Sequence, residues 1–116
     1  MKSIWTQGAA LALSLGLTLG VAAPAGATGT LDWAKITMLG GGWTVPMVAV
    51  QTSGPTANPD GCTTGGLYIV LPDSPSHELF TSMLLTAYAR GDQVQLTVSG
   101  CSGWPVIIGV QIRPAP

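Results

Sequence analysis

The segment "SPSHELFTSMLLTAYARGDQVQLTV", residues 74–98, decides the fold because it predicts one helix that leads directly into a strand. Ser74 is a suitable N-cap with Pro75 at the first helical position, and Gly91 supplies the left-handed residue that ends a helix. One apolar face recurs at helical spacing and consists of Leu79, Phe80, Met83, Leu84, Ala87 and Tyr88. After Gly91 the pattern changes to strict alternation, which is typical of a strand with one buried face.

The tripeptide Arg90-Gly91-Asp92 is also a signal that many extracellular proteins use to bind adhesion receptors. Here each residue has a local structural role. Arg90 lies in the last turn, where a cation suits the helix dipole, and Gly91 is the C-cap. Asp92 then begins the turn into the next strand. We interpret the tripeptide as the end of a helix.

Five strands surround this helix in the predicted order β-β-β-α-β-β. Each is a short apolar or alternating run, namely Leu31–Leu39, Val45–Thr52, Leu67–Pro72, Gln93–Val98 and Pro105–Arg113. We expect Val94, Leu96 and Val98 to face inward. We also expect two further sets each to share one face of its strand: Ala34, Ile36 and Met38; Val106, Ile108, Val110 and Ile112. A mostly β domain with one helix between the third and fourth of five strands has the order of the OB-fold, a small Greek-key barrel. An open five-stranded α+β sandwich with the helix on one face is the alternative.

The first 27 residues have the order of a secretory signal peptide: Lys2, then an uncharged apolar run, then Ala25-Gly26-Ala27. The apolar run, residues 8–23, is shorter than the ~20 residues of a membrane-spanning helix. We therefore predict export to the periplasm or the medium, cleavage before Thr28, and no membrane span after cleavage. Residues 28–116 form a single OB-fold-like domain in this interpretation.

The sequence contains two cysteines, Cys62 and Cys101. In an exported protein this count predicts one disulfide between them. The alternative, a metal site, would need more soft ligands, and His77, the single histidine, has no partner at ligand spacing. We predict no metal and no cofactor.

Charge and motif content argue against two functional classes. The chain has four Lys and Arg against five Asp and Glu, so it cannot form the basic face of a nucleic-acid-binding protein. Nucleophilic catalysis needs a nucleophile beside an oriented histidine, and His77 lies in the first turn of the helix as a surface residue. The run "MLGGGW" has three glycines but lacks the lysine and the following helix of a phosphate-binding loop. We predict a protein that is not an enzyme.

Two tryptophans mark a candidate ligand face. In OB-folds the loop between strands one and two and the loop between strands four and five flank the ligand site. Trp43 in "GGGWTV" and Trp104 in "CSGWPV" lie in those two loops. Aromatic rings stack on the apolar face of sugars, but both rings could equally cap the open ends of a small barrel.

The segment from Phe80 to Ile108 resembles the pentameric B subunits of subtilase-cytotoxin and pertussis-type toxins. The matching residues are Tyr88, Gly91 and Val94 at the helix end and the next strand, followed by the Trp104-Pro105 turn. The resemblance implies an exported OB-fold without enzymatic activity that binds cell-surface glycans. It further implies a homo-oligomer, a pentamer in that family, and an exported enzymatic subunit as partner.

In the sialic-acid-binding members of that family, a serine at the first strand contributes much of the recognition. The nearest position here is Asp32, with Trp33 after it. These two residues join Trp43 and Trp104 as expected ligand-binding residues. A carboxylate at Asp32 would repel an anionic sugar, so the expected ligands are neutral glycans. The scarcity of charge also leaves open a second interpretation, a periplasmic or secreted protein-interaction domain with another ligand.

Overall fold

The computed structural model describes residues 28–42 and 44–116. The expected signal peptide, residues 1–27, and Trp43 lie outside the described residues. The helices and strands are β1 (Gly29–Thr30), β2 (Ala34–Gly42), β3 (Met47–Thr52), β4 (Tyr68–Val70), α1 (His77–Arg90), β5 (Gln93–Ser102) and β6 (Trp104–Arg113). The prediction of a mostly β fold with one helix is confirmed, and the two-residue β1 is an addition to it.

The strands form one sheet whose pairings return to the strand from which they start. β2 pairs antiparallel with β3, and β3 pairs antiparallel with β4. β4 pairs in parallel with β6 through Ile69 and Val106, and β6 pairs antiparallel with β5 along nearly its whole length. β5 in turn pairs with the first two residues of β2, Ala34 and Lys35. β1 extends the sheet at Val98 and Thr97 of β5.

The main core lies between the sheet and α1, because one face of each strand is apolar and the helix covers it. The inward residues of β5 follow the predicted alternation, with Val94, Leu96 and Val98 fully buried. α1 contributes Phe80, Leu84 and Ala87 to the same cluster. The remaining buried members of this cluster are Ile36, Val50, Tyr68, Val70 and Ile107.

β2 contains a bulge, so the alternation predicted for that strand does not continue along its whole length. Ile36 pairs with Thr52 and Met38 with Gln51, so Thr37 is an extra residue without a partner across β3. An extra residue exchanges the two faces of the strand beyond it. Ala34 and Ile36 are both buried and share one face as predicted, but beyond the bulge Leu39 packs against the core. Met38 instead packs against a second apolar cluster on the opposite face of the sheet.

β6 also contains a bulge, and it interrupts the alternation predicted for that strand. Thr97 of β5 pairs with Gly109 and Val98 with Ile107, which leaves Ile108 without a partner. The prediction that Val106, Ile108, Val110 and Ile112 share one side of the strand was therefore wrong. Val110 and Ile112 pack against the core, together with Ile107. Val106 belongs to the second cluster, and Ile108 is half exposed.

The beginning of the helix also differs from the prediction. α1 begins at His77, with Ser76 rather than Ser74 at its N-cap. The Ser74 hydroxyl accepts a hydrogen bond from the Ser76 N–H at 3.3 Å, and the Ser74 carbonyl accepts one from the His77 N–H at 3.1 Å. Ser74 therefore stabilises a separate turn before the helix, which is a common use of a serine side chain.

The end of the helix agrees with the prediction. Gly91 has φ 72° and ψ 23°, the left-handed conformation, and its N–H donates to the Tyr88 carbonyl. The Asp92 N–H donates to the Ala87 carbonyl at 3.0 Å. The Arg90 Nε donates to the Asp92 carboxylate at 2.9 Å, and Asp92 is only 8% exposed. Each residue of the tripeptide thus has an intramolecular role.

Candidate ligand-binding recess

A shallow recess of about 340 Å³ lies where the turn between β2 and β3 meets the start of β6. Its lining residues are Gly42, Thr44, Val45, Met47 and Trp104. The lining includes no charged side chain, and its surface is mainly apolar. The two loops that the sequence marked as a ligand face therefore do meet in space, with Trp104 on one side.

Glycine allows the β2–β3 turn to approach β3 closely. A Cβ at Gly41 would lie 2.7 Å from the Met47 carbonyl oxygen, a distance that side chains do not tolerate. Gly42 has φ 105°, which other residues rarely adopt. The turn closes with a hydrogen bond of 2.8 Å from the Met47 N–H to the Val45 carbonyl. These contacts hold Val45 and Met47 against the recess.

Trp104 is held from the opposite side by the hairpin between β5 and β6. It pairs with Ser102 across the hairpin, and Gly100 and Gly103 at its tip both have positive φ. The indole is half-buried, because it packs against the second apolar cluster, which contains Ala49, Ile69 and Val106. Trp104 therefore packs on the sheet and also lines the recess.

The loop that joins β3 to β4 holds this hairpin in place, and we call it the clamping loop. The predicted disulfide is present, with Cys62 and Cys101 joined by an S–S bond of 2.05 Å. The Asp60 carboxylate accepts a hydrogen bond of 2.6 Å from the Gly100 N–H, and the Thr64 N–H donates to the Gly103 carbonyl at 2.9 Å. One covalent bond and two hydrogen bonds thus fix the four residues that immediately precede Trp104.

The clamping loop has its own internal support. The Asn58 side chain accepts from the Cys62 N–H at 2.7 Å and donates to the Cys62 carbonyl at 3.0 Å. The Ala57 N–H donates to the hydroxyl of Tyr68, a buried residue of β4, at 2.9 Å. The loop is therefore tied both to the sheet core and to the hairpin, which makes the support of Trp104 continuous with the core.

The other two expected ligand residues lie elsewhere. Trp33 stands just before β2, and its ring is covered by the Arg113 guanidinium at 4.3 Å. Arg113 ends β6, whereas Trp104 begins it, so about 30 Å of extended strand separates the two tryptophans. Asp32 is exposed beside a separate hollow of about 230 Å³, which both polar and apolar residues line.

The structure therefore separates Asp32 and Trp33 from Trp104. Trp43 lies outside the described residues, although its neighbours Gly42 and Thr44 both line the recess. Sequence reasoning missed Val45 and Met47, which looked like an ordinary strand start. The adjacent glycine run was the available signal, because such a run permits close approach of two chain segments.

His77 has a structural contact in place of the solvated position expected from the sequence. Its Nε2 lies 2.7 Å from the Pro46 carbonyl oxygen in an exposed contact, which ties the helix start to the β2–β3 turn. Among residues 28–42 and 44–116 no group of three His, Cys, Asp or Glu side chains could hold a metal ion. Nor does that part of the chain contain a helix long and apolar enough to cross a membrane.

Comparison with known proteins gives no family for this chain. No protein-family model matches the sequence, and no curated protein is significantly similar to it.

Proposed function

We propose that this chain is an exported, non-catalytic binding domain that holds a neutral glycan in the recess beside Trp104. In this proposal residues 1–27 are a cleaved signal peptide, and residues 28–116 form an OB-fold-like Greek-key barrel. The protein acts in the periplasm or outside the cell. Like the toxin B subunits that its helix end and Trp104-Pro105 turn resemble, it assembles as a homo-oligomer and carries an exported enzymatic subunit.

The strand pairings support the OB-fold interpretation. The long strands pair in the cyclic order β2, β3, β4, β6, β5 and back to β2, with β4 and β6 parallel. α1 lies between β4 and β5 in sequence and covers the core face. In such a barrel the β2–β3 turn and the β5–β6 hairpin are the two loops that flank the ligand face. Those are the two segments that form the recess.

The observation that carries the glycan proposal is a partly exposed tryptophan that lines a mainly apolar recess, next to a hairpin held by a disulfide and two hydrogen bonds. The apolar face of a sugar ring stacks on an indole, and the Thr44 hydroxyl offers a polar contact at the same place. Because no charged residue lines the recess, a neutral ligand loses nothing to an unpaired charge on burial. The disulfide supports export, because such bonds persist in oxidising compartments.

A glycan-array screen on the secreted protein tests the proposal. The binding of any glycan found on the array is then measured in solution by tryptophan fluorescence. Trp104→Ala should abolish binding, whereas Trp33→Ala is the matched control at the opposite end of β6. Because Trp104 also packs on the sheet, we expect Trp104→Ala to lower stability by about 2–3 kcal/mol, less than a fully buried aromatic. Trp104→Phe keeps a ring for stacking, and it should retain part of the affinity.

Three results would contradict the glycan proposal: no glycan signal from the parent protein, preferential binding of sialylated glycans, or binding lost in Trp33→Ala and kept in Trp104→Ala.

The absence of any glycan signal would favour the second candidate, a protein-interaction domain. Val45 and Met47 support that candidate, because an apolar recess also accepts an apolar side chain. Protection of Val45 and Met47 from hydrogen exchange by a protein partner, with no glycan response, would identify that function.

A further inference from the structure

The outward face of α1 carries apolar residues that the core does not use. Leu79 is 60% exposed and Tyr88 50% exposed, although both were expected on the buried face. Leu85 is 54% exposed. Leu85 lies on the side of the helix away from Phe80, Leu84 and Ala87, whereas Leu79 and Tyr88 lie on opposite flanks of that buried face.

The centre of this face is a straight line of four residues. Glu78, Ser82, Leu85 and Ala89 follow one another at spacings of four, three and four, and all four are exposed. Such spacing places side chains on one line along a helix, as in the contact seam of a helix pair. We call this line the outer stripe. It is about 17 Å long and has a charge at only one end.

We propose that the outer stripe binds the same stripe of a second copy of this chain, with the two helices antiparallel about a two-fold axis. In that arrangement the axis passes between Ser82 and Leu85. Leu85 of each copy then lies over the small Ser82 of the other copy, and Glu78 lies opposite Ala89. A large residue over a small one, repeated by the symmetry, is the complementarity that a two-fold interface requires.

Charge at the two ends of the helix favours the antiparallel direction. Glu78 is in the first turn and Arg90 is in the last turn. Antiparallel packing brings Glu78 of each copy to the end of the partner helix that carries Arg90. The Arg90 side chain is 65% exposed and uses its Nε for Asp92, so its terminal amino groups face outward. Parallel packing would instead place Glu78 beside Glu78 and Arg90 beside Arg90.

The size of the contact sets its strength. A helix of 14 residues offers less area than the ~800 Å² per partner of a standard stable interface. We therefore expect reversible association that depends on protein concentration. This proposal does not rest on glycan binding, because the outer stripe and the recess involve different elements.

Sedimentation equilibrium of the secreted protein over a wide concentration range tests the pairing. The parent protein should fit a monomer–dimer equilibrium. Leu85→Asp should weaken dimerisation by roughly tenfold or more, because it places a charge at the centre of the contact. Ile108→Asp is the matched control, since Ile108 is equally exposed at 50% but lies on β6, and it should leave the equilibrium unchanged.

Charge exchange tests the direction. Glu78→Lys and Arg90→Glu should each dimerise about threefold to tenfold more weakly than the parent protein, as expected for surface ion pairs. An equimolar mixture of the two should form the mixed dimer, because both end contacts are again attractive. Should Arg90→Glu fail to fold without its Asp92 contact, mixing Glu78→Lys with Arg90→Gln relieves the repulsion at one end and leaves the other end as in the parent.

The pairing is overturned by a parent protein that stays monomeric at the highest concentration, or by an oligomer that is insensitive to Leu85→Asp. A pentamer that is insensitive to Leu85→Asp would support the assembly implied by the toxin resemblance. Mixtures that dimerise no better than the separate variants would overturn the antiparallel direction. A monomeric parent protein would also contradict the homo-oligomer of the proposed function, but none of these outcomes affects the glycan-array result, so glycan binding and helix pairing fail separately.

Discussion

Removing the Cys62–Cys101 disulfide should be among the costliest changes outside the main core. The bond joins residues 39 apart in sequence, and the closed loop contains β4, α1 and most of β5. In the chain-entropy model, closing a loop of this length in the unfolded state stabilises the folded state by about 4 kcal/mol at 25 °C. For so small a domain, that is a large part of the ~5–15 kcal/mol typical of folded proteins. We therefore expect the double variant Cys62→Ala/Cys101→Ala to lose about 4 kcal/mol in free energy of unfolding.

Urea unfolding of the secreted protein and the double variant measures this loss. The dependence of the free energy on urea should also steepen, because an unfolded chain without the cross-link exposes more surface. Asp60→Ala is the control for the hydrogen-bonded part of the clamp, and it should cost about 1 kcal/mol. A double variant that loses less than about 1 kcal/mol would refute the reasoning. So would the finding of two free thiols in the denatured secreted protein.

Two glycine substitutions give further predictions. Gly91→Ala should lower the free energy of unfolding by about 1 kcal/mol, because alanine must then adopt φ 72°; a thermal melt with no change would contradict the C-cap assignment. Gly41→Ala should cost about 1–3 kcal/mol, because its Cβ would meet the Met47 carbonyl at 2.7 Å. It should also change Trp104 fluorescence, whereas Gly40→Ala, where a Cβ meets nothing within 4 Å, should change neither quantity.

Local signals predicted the parts of the fold that depend on local chemistry. The left-handed Gly91 follows from the need for φ > 0 at a helix end, and it is where the sequence placed it. The disulfide follows from a count of two cysteines and the leader-like start. The alternation of β5 was correct because that strand pairs with β6 without a bulge from Gln93 to Thr97.

The bulges at Thr37 and Ile108 could not be predicted in this way. Neither residue is a glycine. Gly109 follows Ile108, and a glycine inside a strand can mark a bulge, but it does not identify which residue is the extra one. The extra residue becomes visible once the register between two strands is known, and register is a property of the pair. The same limit explains the helix start, where both Ser74 and Ser76 could serve as N-cap. Contacts with Leu71 and His77 decided between them.

The expected ligand residues differ in where the structure places them: Trp104 lines the recess, whereas Asp32 and Trp33 lie elsewhere. Trp104 was chosen from the sequence because it lies in a Gly- and Ser-rich turn, and the structure places it at the first residue of β6, where it lines the recess. Asp32 and Trp33 were grouped with it through the resemblance, and the structure places them near the other end of β6. Sequence position alone could not show this, because the two ends of one long strand belong to different sides of a small domain.

The bulge at Ile108 links the fold to the site. Before it, β6 turns Trp104 and Val106 to the outer face of the sheet, where they form the second apolar cluster. After it, Val110 and Ile112 turn to the opposite face and pack against the main core. A strand without the extra residue could contact only one of the two clusters with these side chains. Strict alternation would keep all four of them on one side of the sheet, namely Trp104, Val106, Val110 and Ile112. We infer that the bulge allows a single strand to close the core at one end and support the recess at the other.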